Sequence, residues 1–216
     1  MKRLILYDLD GTLVDTLEDI AYAANRMLET LQQPVVPAHD IRRYVGRGVR
    51  ELVGRCLGSS DSRQIDEAVR IYRDLYRAHM LDHSRLYPHA LEVLEYFKDR
   101  RQAVITNKPN PYSRDLLTAL GVAGYFFEII GGDSPHPRKP DPASTLALME
   151  QAGAGRDETL FIGDSPVDID TGRRAGILTV IVGHGLSDGV ELRQAGPDML
   201  VQDFSELLMV ARRETW

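Results

Sequence analysis

A chain of 216 residues suits one large domain or a core domain carrying a smaller insertion, and 43% hydrophobic content is enough to pack a core. The net charge of −6 disfavours a nucleic-acid or anionic-membrane surface, while leaving room for a local basic pocket. Cys56 is the only cysteine, which excludes an internal disulfide and fits a cytoplasmic protein; no apolar run approaches the roughly 18 residues of a membrane span, and the N-terminal run, broken at Asp8, is too short for a signal peptide.

The chain opens with an apolar stretch over 4–8 that predicts a buried strand, running straight into Asp8, Asp10 and the turn residue Gly11. From 16 to about 83 there is no strand pattern. In TLEDIAYAANRMLETL, Leu17, Ile20, Ala24, Met27, Leu28 and Leu31 share one helical face, and Glu18 and Asp19 sit near its positive end. Three more helical patterns follow. Further strands are expected over 103–106, 126–131, 159–163, 178–182 and 199–201, alternating with helices over 89–100, 111–120, 142–152, 167–175 and 204–212. This alternation predicts an α/β fold, a Rossmann-like doubly wound parallel sheet core of residues 1–15 and 84–216. Residues 16–83 form an inserted α-helical cap domain in this reading, hinged at 14–16 and 84–88, above the carboxyl edge where such sheets bind ligands.

Four groups of polar residues fall where predicted strands end. These are Asp8 with Asp10, the run Thr106-Asn107-Lys108, Lys139 in PRKPDP ahead of a helix with Pro142 in its first turn, and Asp164 with Asp168 after TLFIG. Parallel strands end on one side, so these groups converge. Two like charges 4 Å apart repel by about 1 kcal/mol in water and about 4 kcal/mol near a protein surface. Lys139 alone does not offset Asp8, Asp10, Asp164 and the nearby Asp168. A hard divalent cation with oxygen ligands does, and Mg²⁺ suits a site that also holds phosphate. Taken singly the same residues read more plainly: Asp-x-Asp-Gly as a turn, Lys139 as a solvated lysine, Asp168 as a helix cap. His79 and His83 lack a His-Glu-x-x-His pattern and read as a solvated helix end, and Cys56 reads as core. No Gly-x-Gly-x-x-Gly follows the first strand, which disfavours a nucleotide-binding dehydrogenase.

In order and spacing, DLDGTLVD, ITNKP, RKPDP and FIGDSPVDI resemble the four motifs of the haloacid dehalogenase-like superfamily of phosphohydrolases. The resemblance covers nearly the whole chain, and the helical insert is similar to that superfamily's smaller cap type. YVGRGVRELV and TVIVGHG resemble its phosphoglycolate phosphatases. What the resemblance implies is a Mg²⁺-dependent phosphatase for small phosphomonoesters of the phosphoglycolate kind, working through an aspartyl-phosphate. It makes Asp8 the nucleophile and Asp10 the acid and base. Thr106 and Asn107 would bind the phosphoryl group, Lys139 would balance charge, and Gly11 would let the backbone turn beside the phosphate. The metal would take Asp8, the Asp10 carbonyl and Asp164, with Asp168 orienting either Lys139 or the metal's waters. VGRG is expected to face the substrate, Arg47 meeting a second anionic group in competition with Arg42, Arg43, Arg50 and Arg55. The expected partner is a small phosphorylated metabolite, and a monomer or homodimer fits equally well. The rivals are a pyrophosphatase, a β-phosphoglucomutase-like phosphoryl transferase and a catalytically silent phosphate-binding regulatory protein. The mutases of the superfamily carry small residues where this chain has TNK; a dehalogenase would lack the aspartate that Asp10 supplies.

Overall fold

The computed structural model describes all 216 residues. The chain runs β1 (Leu4–Tyr7), β2 (Val14–Asp15), α1 (Leu17–Thr30), α2 (Ala38–Arg42), α3 (Val49–Leu57), α4 (Ser62–His79), β3 (Arg85–Leu86) and α5 (Ala90–Tyr96). It continues through β4 (Arg101–Ile105), α6 (Asn110–Ala119), β5 (Glu128–Ile130), α7 (Ala143–Ala152), β6 (Thr159–Gly163), α8 (Pro166–Ala175), β7 (Leu178–Val182), α9 (Gly189–Ala195), β8 (Met199–Val201) and α10 (Phe204–Arg213).

All four residues of β1 are fully buried. Ile5 and Tyr7 point into a cluster built with α5, α6 and α10, whereas Leu4 and Leu6 point into another built with α7 and α8. A strand apolar on both faces needs cover on both, and this places β1 in the middle of the sheet. The sheet order is β5-β4-β1-β6-β7-β8 and every pairing is parallel. The chain fills one side of β1 and then crosses back to fill the other, which is the doubly wound arrangement. Its topological switch point lies between β1 and β6, the strands that carry Asp8 and Asp164 at their carboxyl ends. The one polar atom that Tyr7 brings into the core is satisfied: its hydroxyl donates to Gln102 Oε1 at 2.8 Å.

Helices α1 to α4 pack around a separate apolar cluster that includes Ile20, Met27, Leu28, Val53 and Tyr72, joined from the sheet side by Tyr112 of α6. Cys56 lies in this cluster, where burial pushes its thiol up to about 11. It therefore stays protonated at neutral pH and serves as packing. The chain enters and leaves the helical layer through β2 and β3, which pair antiparallel, Val14 with Leu86 and Asp15 with Arg85. The buried Asp19 carboxylate in the first turn of α1 accepts from the His83 and Ser84 backbone N–H groups, tying the exit to the entry. No helix is long and apolar enough to cross a membrane.

The six expected strands are the six of the sheet: those over 159–163, 178–182 and 199–201 have the bounds read, β1 ends one residue earlier, β4 starts two residues earlier and ends one earlier, and β5 is three residues shorter. The helix expected over 89–100 stops at Tyr96, because the chain must turn before β4 starts at Arg101. Pro142 precedes α7 as its cap residue instead of lying in its first turn.

Candidate active site

Asp8 follows β1 directly, and its Oδ1 accepts from the Leu9 N–H at 2.7 Å and from Lys139 Nζ at 2.8 Å. The backbone then turns through Gly11 at φ +85°, where a Cβ would overlap the Asp164 carboxylate, so this position needs glycine on two counts. Asp164, at the end of β6, accepts from Thr12 Oγ1 at 2.7 Å and from the Leu186 N–H at 2.8 Å. Asp168 lies in the first turn of α8 and forms a capping box with Ser165. Its Oδ2 accepts from the Asp164 and Ser165 N–H groups and the Ser165 hydroxyl, and its Oδ1 accepts from Lys139 at 2.7 Å. Capping the helix and holding the lysine are thus compatible uses of one carboxylate.

One oxygen from each of Asp8, Asp164 and Asp168 lies within 4.8 Å of the others, all three side chains being buried. Burial, with the Asp168 charge adding to it, pushes the Asp8 carboxyl up to about 7 despite the opposing pull of Lys139. Burial first, then the Asp168 and Asp8 charges, hold Asp164 well above the ordinary carboxylate range. Burial pulls the Lys139 ammonium down, but Asp168 and Asp8 more than offset it and leave it raised. Asp10 turns away from this group. Its Oδ1 accepts from Thr16 Oγ1 at 2.8 Å and from Lys108 Nζ at 2.7 Å. Four carboxylates therefore meet two ammonium groups, and a divalent cation would bring the site to neutrality. The all-oxygen donor set fits a hard ion such as Mg²⁺. Asp168 accepts four hydrogen bonds against two each on Asp8 and Asp164, so the latter two carboxylates have more lone pairs left to ligate one.

Thr106 and Asn107 are buried at the end of β4, beside Asp8. The Thr106 oxygen accepts from the Lys108 N–H at 3.2 Å, so its own proton is free to donate. Asn107 Nδ2 donates to the Gly46 carbonyl of the helical layer at 2.8 Å and to the Lys139 carbonyl at 3.0 Å. Asp8 and Asp10 stand where two cavities meet. One is a wide opening of about 550 Å³ lined by Arg42, Arg43, Arg47 and Arg55, and the other is a narrow cavity of about 50 Å³ behind it. Arg47 is exposed on the wide opening and has no place on the narrow cavity's wall.

Sequence reasoning missed Thr12, the role of Lys108, which it placed at a strand end without assigning it a partner, and the contact made by Arg42. The Arg42 guanidinium donates to the Leu186 carbonyl at 2.6 Å and the Gly185 carbonyl at 2.7 Å, bridging the helical layer to the loop whose Leu186 N–H holds Asp164. The threonine in DLDGT was available as a signal. Neither of the other two has a local one.

Residues 5–182 match the family described as haloacid dehalogenase-like hydrolase. The chain belongs to this family. Among its relatives, the phosphoglycolate phosphatase of Vibrio parahaemolyticus is 35% identical, the match covering 96% of this chain and 95% of the relative. The phosphoglycolate phosphatase of Pseudomonas syringae pv. syringae is 33% identical over 96% of this chain and 79% of its own. The crystal structure of a predicted phosphoglycolate phosphatase from Haemophilus somnus superposes with a TM-score of 0.92 at 31% identity, covering 97% of this chain and 98% of that one.

Proposed function

We propose that this family member is a Mg²⁺-dependent phosphatase for small anionic phosphomonoesters, phosphoglycolate or a close analogue, acting through an aspartyl-phosphate on Asp8. The observation that carries the reading is the buried meeting of Asp8, Asp164, Asp168 and Lys139 at the switch point of the sheet. A carboxylate needs no base to become a nucleophile. The hydrogen bonds to Asp8 fall on Oδ1, so Oδ2 is the oxygen that attacks phosphorus as the bond to the leaving oxygen breaks. Asp10 gives that oxygen a proton. It then takes one from the water that hydrolyses the acyl phosphate, releasing inorganic phosphate and restoring Asp8. Thr106 and the Asn107 backbone N–H, which is left free while the Asn107 side chain holds the Gly46 and Lys139 carbonyls, bind phosphoryl oxygens, and Lys139 balances the charge gathering on them. Mg²⁺, held by Asp8, Asp164 and the Asp10 carbonyl, supplies further neutralisation of those oxygens when bound.

Helices α1 to α4 act as a cap, and the β2–β3 ribbon is the crossing about which it opens. In this reading the cap is closed, with Gly46 on Asn107 and Arg42 on the loop after β7. The narrow cavity then favours a small leaving group over a sugar, which separates the reading from a β-phosphoglucomutase-like transferase. The test is release of inorganic phosphate from a panel of phosphorylated metabolites, ranked by kcat/KM. Undiminished activity in EDTA would overturn the reading.

Protons and the cation compete for Asp8, whose carboxyl is pushed up to about 7. Millimolar Mg²⁺ is expected to raise Tm by about 5 °C or more at about pH 8, and by much less at about pH 5.5. Thermal melts at the two pH values check this, and equal shifts would place the ion elsewhere. Arg42→Ala is expected to lower kcat/KM about 10-fold or more, since two charge-assisted hydrogen bonds hold the cap shut. Steady-state kinetics, with faster proteolysis at the β2–β3 crossing, checks it.

A further inference from the structure

The narrow cavity holds features that the mechanism above does not use. Of the 15 residues on its wall only one is a cation, Lys108, and its side chain is 6% exposed. One of its three N–H donors goes to Asp10 Oδ1, and the ammonium lies 4.5 Å from the centroid of the Tyr76 ring. Tyr76 is 2% exposed, and its hydroxyl is buried with no hydrogen-bond partner. Burial, with the Asp10 and Asp19 charges adding to it, holds that phenol well above its ordinary range, so it is a neutral donor at physiological pH. Tyr72 stacks on Tyr76 at 5.7 Å, Tyr112 meets it edge-on, and Ile20, Val49 and Leu52 complete the apolar lining. A buried donor without an acceptor is a costly arrangement. Lys108 and Tyr76 both line this small space, and an ammonium there asks for a compact anion.

The position is right for the leaving group. Its ester oxygen must come within hydrogen-bonding reach of Asp10 to receive a proton. Lys108 already touches Asp10, so a carboxylate one methylene beyond that oxygen falls beside the ammonium. The cavity is narrow, about 50 Å³ against about 550 Å³ for the wide opening, and so suits a short acid better than a sugar. The other candidate cations are placed elsewhere. Lys139 is occupied by Asp8 and Asp168, Arg42 by two loop carbonyls, and Arg47 is exposed on the wide opening.

Resting on the phosphatase reading above, we infer that Lys108 determines substrate specificity: with the Tyr76 hydroxyl it receives the carboxylate of a short acid leaving group, in the place first expected for Arg47. The test compares phosphoglycolate with its neutral carboxamide analogue in wild type, Lys108→Met and Tyr76→Phe. In wild type kcat/KM for the acid exceeds that for the amide by about 10- to 100-fold, the worth of a charge-assisted hydrogen bond. Lys108→Met slows both compounds, because Asp10 loses a partner, but the acid-to-amide ratio collapses at least about 10-fold through KM. Tyr76→Phe, which keeps the packing, lowers the same ratio by a smaller factor. A ratio near one in wild type, or a ratio unchanged in Lys108→Met with kcat reduced equally for both compounds, overturns the inference and leaves Lys108 as a positioning residue for Asp10. Wild type that hydrolyses neither compound, nor an aryl phosphate, sinks the phosphatase reading itself and the inference with it.

Discussion

Asp8→Asn is expected to lower kcat by about 10⁴-fold or more, because a carboxamide cannot form the acyl phosphate through which the proposed reaction divides. The same substitution is expected to stabilise the metal-free protein. In the unfolded chain Asp8 sheds its proton near its ordinary value of 3.8, whereas in the folded chain burial holds the proton up to about 7. Between those values the folded state binds more protons than the unfolded one, so the contribution of Asp8 to stability falls as pH rises through that window. Asparagine keeps an acceptor for the Leu9 N–H and for Lys139 but never ionises. The stability advantage of the variant should therefore be absent near pH 4, grow towards pH 7 and stay level above it. Phosphate release from an aryl phosphate and thermal melts of chelator-treated protein across that range check both halves. Residual activity above about a hundredth of wild type would remove Asp8 from the nucleophile's role. A variant less stable than wild type at pH 8 would mean that the pairing with Lys139 outweighs the burial of the charge.

How much of this was legible in the sequence depended on how local each signal is. LILY, TLFIG and LTVIV are apolar at almost every position because strands buried on both faces have no polar side, and such runs stand out without any partner. The residues at their ends were then brought together by the parallel topology alone. Two-residue strands such as β2 and β3 carry no period to read, so the ribbon at the crossing had no signature. The seven-residue α9 buries only Leu192, and its glycine and aspartate start reads as a turn. Lys108 looks like any lysine after a strand; its partner Asp10 lies 98 residues away, and nothing in ITNKP points there. Tyr72 and Tyr76 fall four apart on α4, which reads as a core stripe, and the unpaired hydroxyl appears only once the helix is docked. The arginines of the helical layer present the same difficulty. Arg42, Arg43 and Arg47 share one short stretch, and only the docking of the five-residue α2 aims Arg42 at the loop carbonyls while leaving Arg47 in solvent.

Lys139→Met is expected to damage stability and activity together, and a second substitution should separate the two. Lys139 is the one cation touching both Asp8 and Asp168, with a side chain 2% exposed. Removing it leaves three buried carboxylates within 4.8 Å of one another and no ammonium among them. Stripping one partner from a buried charge pair costs about 3–5 kcal/mol, which for a domain of this size corresponds to a Tm lower by about 10 °C. The transferring phosphoryl group loses its fixed positive neighbour as well, so kcat should fall by about 10²–10³-fold. Adding Asp168→Asn removes one of the stranded charges while keeping an acceptor for the Ser165 hydroxyl, and it is expected to restore part of the lost stability. It supplies no ammonium, so kcat should stay low. Recovery of both quantities in the double variant would mean that Lys139 acts only by neutralising Asp168. Recovery of stability alone would assign the lysine a direct part in carrying the charge of the reacting phosphate.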